Sequence, residues 1–208
     1  MAAVKEIPEH LKNLTWYTDF LKNRTPLTGR DFSGQNLAKA QLQKANLVGC
    51  NFTGCNLEGA SFKDSDLTTA NLSGVKGKGL NLTGCNLSKA DLSQADLRRS
   101  KLTKAVVTDL NLTGSKMDKA VLKNLDLRET SLTDTDLTEA EMPNCNFSGM
   151  ILIKTDMRGA DLTGANLQGA TALKVNFNRA TLDGANIQGT VLENSFPLRK
   201  HLMRALMS

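Results

Sequence analysis

"AQLQKANLVGCNFTGCNLEGASF", residues 40–62, repeats its own pattern every five residues: Leu42, Leu47, Phe52, Leu57 and Phe62 are its large apolar side chains. Carried outward, the same step begins at Leu27 and runs without insertion to Leu192. At this central position, i, only Gly77 and Ala172 depart from Leu, Phe, Met, Val or Ile. From Ala40 onward, position i−2 holds Ala, Cys, Ser or Thr, replaced by larger residues at Val75, Leu80, Leu110, Leu125, Met150 and Val175. Asn or Asp is typical at i−1, and Thr or Ser is frequent at i+1. A helix would need a period of 3.6. A fixed short period kept over most of a chain marks stacked repeats instead.

Charge separates inside from outside. An unpaired buried charge costs several kcal/mol, on the order of a broken ion pair, so inward positions should exclude it. From Asp31 to Glu193 every Lys, Arg, Asp and Glu falls at i−1, i+1 or i+2. Every glycine except Gly77 falls at i+2, a corner where a positive φ suits it. Two inward residues flanking one outward residue describe a short extended segment, after which the corner turns the chain. The fold class expected is an all-β solenoid whose coils stack through backbone hydrogen bonds.

The stretches at 40–62 and 160–173, "ADLTGANLQGATAL", resemble the pentapeptide repeat family, whose motif is A(N/D)LXX. The resemblance covers about four-fifths of the chain. It implies a right-handed quadrilateral β-helix with four pentapeptides per coil, so that residues twenty apart share a face. Residues 25–194 would form this column.

Both flanks read as helical. Residues 1–24 carry Pro8 near a helix start and Leu11, Leu14, Tyr17 and Leu21 at helical spacing, an N-terminal cap for the first coil. Residues 195–208 read as a second helix with Ser195 at its N-cap and Leu198, Leu202 and Leu206 on one side. That helix would be a cap or a homodimer contact, the latter favoured by resemblance to family members that protect topoisomerases. Its basic residues Arg199, Lys200 and Arg204 make a membrane-surface role the weaker alternative.

The chain has 208 residues, 40% hydrophobic and 4% aromatic content, and a net charge of +5. That suits one domain of ordinary size with a mildly basic balance. No export signal or membrane-spanning stretch stands out, which makes the cytoplasm the default compartment, with a secreted effector as an alternative. Cys50, Cys55, Cys85 and Cys145 all stand at i−2, which reads as small buried residues rather than as a metal site or disulfides. His10 and His201 lie outside the repeats, and the carboxylates point outward, so no catalytic residue, metal or cofactor is expected.

The segment 73–80, "SGVKGKGL", looks like a phosphate loop, but repeats rather than a helix follow it. Its one anomaly is Gly77, where leucine should fill the core. The expectation is a packing defect, partly filled by Val75 and Leu80, that Gly77→Leu would stabilise.

Function should then lie on the outside of the column. Residues 76–123 hold ten Lys or Arg against four Asp, and residues 124–161 hold three basic against eight acidic residues. With four repeats per coil, Lys76, Lys78, Arg98, Arg99, Lys116 and Lys119 share one face, and Lys101, Lys104 and Lys123 share the next. Near the far end Ile151, Ile153, Leu173 and Val191 form an apolar patch on an outward face. The chain reads as a non-enzymatic scaffold whose patches bind an unidentified protein partner. Nucleic acid is a weaker candidate, since no outward aromatics offer stacking. The alternative that the resemblance implies is a gyrase modulator acting as a DNA mimic, against which stands the net positive charge.

Overall fold

Residues at i−1 form parallel bridges with the residue twenty places on along most of the column, as in the series Asp31, Asn51, Asn71, Asp91, Asn111. One coil therefore holds four pentapeptides. The computed structural model describes residues 7–195, and between Leu27 and Ser195 the chain is a parallel β-helix.

Each position in the repeat has its own hydrogen-bonding duty. The N–H groups at i and i+2 donate into the following coil, as Leu47 does to Asp66 (2.8 Å) and Gly49 to Thr68 (2.9 Å). The N–H at i−1 donates into the preceding coil, as Asn71 does to Cys50 (2.9 Å). Where i−1 is Asn or Asp, its side chain accepts from the N–H at i+1, as Asn51 Oδ1 does from Thr53 (3.0 Å) and Asn86 Oδ1 from Ser88 (3.1 Å). This is why Asn and Asp dominate i−1: they close an Asx turn and pin the corner. The corner residue at i+2 then has positive φ, 65° at Gly49 and 60° at Lys39.

The interior is filled by the residues at i, with Leu42, Leu47, Phe52, Leu57 and Phe62 fully buried. Small residues at i−2 complete it. Where these are Cys, Ser or Thr, the side chain generally donates to the carbonyl twenty-three residues earlier, as Cys50 does to Leu27 (2.9 Å), Ser65 to Leu42 (2.7 Å) and Thr135 to Leu112 (2.9 Å), whereas the buried Ser115 Oγ has no partner among the described residues. All four cysteines are buried free thiols.

Gly77 departs from expectation. A Cβ built there would meet Leu97 Cδ2 at 3.2 Å, the Asp96 carbonyl at 3.4 Å and Leu80 Cδ2 at 3.4 Å. The expected vacancy is narrow: Leu97 and Leu80 reach into it, and any added side chain must push them aside. Ser100, whose place in the hydroxyl series faces the Gly77 carbonyl, leaves its buried Oγ without a partner.

The N-terminal segment forms two helices, α1 (Glu9–Lys12) and α2 (Thr15–Asn23), broken at Asn13 and Leu14. Leu11, Tyr17 and Phe20 are buried in the same core as the repeats. Trp16 packs on Phe32 (ring centroids 4.7 Å), which stacks on Phe52 (4.9 Å). Three further contacts fasten this segment to the first coil. Tyr17 Oη accepts from the Gln41 N–H (2.8 Å), His10 Nε2 donates to the Ala38 carbonyl (3.1 Å), and Arg24 Nη1 donates to the Gln43 carbonyl (3.3 Å).

Three-residue strands occur on one face only: β1 (Ile151–Ile153), β2 (Thr171–Leu173) and β3 (Val191–Glu193), paired in parallel in that order. Ile151, Thr171 and Val191 stand where Asn or Asp would close the Asx turn, and here the backbone stays extended through i+1. Ser195, expected to cap a C-terminal helix, has the bonding of an inward repeat position. Its Oγ donates to the Ala172 carbonyl (3.0 Å) and accepts from the Val175 N–H (3.0 Å). The remainder of that expected helix, including Leu198, Leu202 and Leu206, lies outside the described residues.

Candidate functional site

The basic residues expected to share a face are stacked by the coil register: Lys76 bridges Asp96, Asp96 bridges Lys116, and Lys116 bridges Asp136. The column thus alternates in sign. Arg98 forks onto Asp96 (2.7 and 2.6 Å), which holds that carboxyl below its ordinary pKa. Lys119 pairs with Glu139 (3.3 Å) and Lys123 with Glu141 (2.6 Å). Among the described residues Lys76, Lys78, Arg99, Lys101, Lys104 and Lys116 make no ion pair.

Two of these unpaired cations, Lys78 and Arg99, border a shallow groove of about 320 Å³ whose other walls include Ala38, Lys39, Glu58, Gly59 and Gly79. The groove exists because two glycines follow one another in the corner column Lys39, Gly59, Gly79, Arg99. No heavy atom lies within 4 Å of the place a Gly79 Cβ would take. Lys39 was not among the residues singled out from the sequence. Stacking the corner positions at twenty-residue intervals would have found it.

The apolar patch is also assembled by the register, Ile151 beside Thr171 beside Val191 and Ile153 beside Leu173. Ile151 is 63% exposed and Val191 48%, whereas Ile153 and Leu173 are half-buried.

A further feature was not anticipated. Between Lys104–Asp109 and Lys123–Arg128 the coil-to-coil ladder is open. Val107 and Asp109 do not reach the Asp126 and Arg128 carbonyls, the Asp126 N–H does not reach Ala105, and the bridge from Val106 to Asp126 is missing. Among the described residues the Thr108 N–H also lacks an acceptor, because Val106 replaces the usual Asn or Asp. The seam is bounded by intact bonds, Leu102 to Val121 (2.8 Å) before it and Ser131 to Leu110 (2.9 Å) after it. It opens into a cleft of about 390 Å³ lined by Ala105, Val106, Val107, Thr108, Asp126, Arg128 and Glu129.

Bulk accounts for the opening. Leu110 and Leu125 occupy i−2 positions at the two corners of this face, where the neighbouring coils place Ala90 and Thr130, and Cys85, Ala105 and Cys145. Overpacking an interior displaces backbone. Val106 is left 51% exposed, and Arg128 folds onto Asp126 (2.8 and 2.6 Å) at the rim.

Among the described residues no group of His, Cys, Asp and Glu could hold a metal ion, and no helix is long and apolar enough to cross a membrane.

A profile described as "pentapeptide repeat region" matches residues 45–122, and one described as "pentapeptide repeats (8 copies)" matches 27–54, 108–142, 130–169 and 160–196. Comparison with curated protein sequences found no match. Solved structures similar to the chain include HetL of the cyanobacterium Nostoc, a pentapeptide repeat protein involved in heterocyst differentiation regulation. It is 22% identical, with 86% of this chain and 93% of that chain covered and a TM-score of 0.33. QnrB1, a plasmid-mediated fluoroquinolone resistance protein, is 18% identical over 87% of this chain and 97% of its own, with a TM-score of 0.48. A thylakoid-lumen pentapeptide repeat protein of Arabidopsis thaliana is 33% identical over 55% of this chain and 66% of its own, with a TM-score of 0.29.

Proposed function

This chain belongs to the pentapeptide repeat family, and we propose that it is a non-enzymatic scaffold: a right-handed quadrilateral column, covered at its N-terminal end by α1 and α2, that binds an acidic protein partner. The observation that carries this reading is the groove over Gly59 and Gly79. Lys39, Lys78 and Arg99 border it against the single carboxylate Glu58, and Lys78 and Arg99 have no carboxylate partner among the described residues. Cations without a local partner keep their full attraction for an incoming acidic side chain, whereas Arg98 is already spent on Asp96.

A partner spanning the groove would also meet Lys76 and Lys116 on the same face, and the apolar residues Ile151 and Val191 offer a second, separate contact. Enzymatic chemistry finds little support, since the perturbed groups are structural: buried thiols and carboxylates tied to neighbouring turns.

The test is affinity capture from native lysate with the wild-type chain and a Lys78→Glu/Arg99→Glu variant, both checked for intact folding. Loss of a reproducible partner in the variant is the expected result; identical partner sets would sink the proposal. Gyrase supercoiling with and without a quinolone, and salt-dependent retention on duplex DNA, are run beside it. Protection of gyrase, or retention at physiological salt, would replace the acidic-protein reading with a topoisomerase or nucleic-acid one.

A further inference from the structure

We propose that the open seam between Lys104–Asp109 and Lys123–Arg128 is a second binding site, which takes an extended peptide segment carrying a basic side chain. In the regular coils the N–H groups at i and i+2 are satisfied by the next coil, and the one at i+1 by an Asx side chain wherever i−1 is Asn or Asp. At Val107, Thr108 and Asp109 all three lack acceptors among the described residues. The opposite lip presents the Asp126 and Arg128 carbonyls without donors, and the Ala105 carbonyl and Asp126 N–H are likewise unmatched.

A site that offers amide donors on one lip and carbonyl acceptors on the other is complementary to a peptide backbone, which carries both at regular spacing. An anion would satisfy the donors alone, and an apolar molecule would satisfy neither lip. The side-chain preference follows from the walls. Val106, half exposed, offers an apolar contact. The cleft is lined by Asp126 and Glu129 against Arg128, and Arg128 is already forked onto Asp126. The surplus is negative, so a Lys or Arg on the guest is favoured and a Glu disfavoured.

Leu125 supplies the control. It is the uncompensated bulk at this corner, since Leu122, three residues before it, is itself full-sized. Leu125→Ala restores the commonest residue of that position and should let the ladder close. Val106→Asn, at an exposed position, gives the Thr108 N–H its own acceptor and removes the apolar wall without touching the core.

The experiment is an NMR titration of the isotope-labelled full chain with two N-acetylated, C-amidated peptides, TVKVT and TVEVT, up to millimolar concentration. With TVKVT the expected result is a set of shifts centred on the Val107, Thr108, Asp109 and Asp126 amides, with their hydrogen exchange slowed tenfold or more at saturation. TVEVT should bind at least tenfold more weakly, and both variants should lose the TVKVT shifts. Absence of shifts with TVKVT, equal affinity for the two peptides, shifts centred elsewhere, or binding that survives in a folded Leu125→Ala or Val106→Asn variant would each overturn the proposal. Because Val106→Asn leaves the core intact, it decides the matter if Leu125→Ala does not fold. The Lys78→Glu/Arg99→Glu variant should bind TVKVT normally, which separates this site from the basic groove.

Discussion

Leu80 Cδ2 lies 3.4 Å from the point that a Cβ on Gly77 would occupy, so the side chain missing at one central position has been supplied by the inward position three residues later. The other small centre has the same arrangement: Ala172 is followed by Val175 at i+3. Small and large have exchanged places within one repeat, a swap that keeps the interior volume nearly constant.

Gly77→Leu should therefore destabilise the column, by about 1–3 kcal/mol if it behaves as other overpacked interiors do. The double variant Gly77→Leu/Leu80→Ala should recover most of the loss. Thermal or urea unfolding of the two variants decides this, and a stabilised single variant would show that the interior yields more readily than its packing implies.

Tyr17 replaces a missing coil. From Asn51 onward the N–H at i−1 finds a carbonyl in the coil before it except at Asp126 and Ile151, but Gln41 in the first coil has only the Tyr17 hydroxyl. Tyr17→Phe keeps the ring and removes the acceptor, at an expected cost of about 1–3 kcal/mol for an unmet backbone donor. The Gln41 amide should exchange with solvent markedly faster, while amides beyond the second coil stay protected.

Burial pushes the Cys85 thiol up to about 12 and the Cys55 and Cys145 thiols up to about 11. In the unfolded chain each would ionise near its ordinary value of about 8.5. Their contribution to stability is thus fully present below that pH and is lost as pH rises towards 11 to 12. Unfolding midpoints should fall through this alkaline window in the wild type and fall less in a Cys55→Ala/Cys85→Ala/Cys145→Ala variant. In the native state near neutral pH all three should resist maleimide.

In acid the sign is reversed. The Thr163 hydroxyl and N–H hold Asp161 below its ordinary pKa, and Arg98 and Arg128 do the same for Asp96 and Asp126. These carboxylates stabilise the fold above about pH 4, the unfolded value, and that contribution disappears as pH falls through their depressed native values. A melting temperature that is flat from pH 7 to 5 and declines below 4 is expected. Asp161→Asn, which keeps the acceptor for Thr163, should decline less.

The register was legible because each repeat states its own inside and outside: a charge never falls at i or i−2, and that alone fixes which side chains are buried. Four repeats per coil came from the family resemblance, since a period of five does not say how many corners close a turn. Gly77 was misjudged because sequence gives the volume at each position but not the direction in which Leu80 reaches. Leu110 and Leu125 were visible as oversized inward residues, yet their consequence depends on what stacks beside them. The seam was therefore missed, and so was Val106 among the outward apolar residues. The visible signal for it is leucine at two successive corners of one face, Leu110 and Leu125, with full-sized Leu122 before the second.

The ladder that joins the coils also gives the column an electrical sense. In the regular repeats two N–H groups point toward the C-terminal end and one points back, so the first coil turns mostly carbonyl oxygens outward and the last described coil mostly amide hydrogens. His10 and Arg24 already answer the first need, each donating to a carbonyl at i+1. Whatever meets the opposite end must chiefly bring oxygen. End-to-end contact between two such columns is accordingly matched head to tail and mismatched head to head.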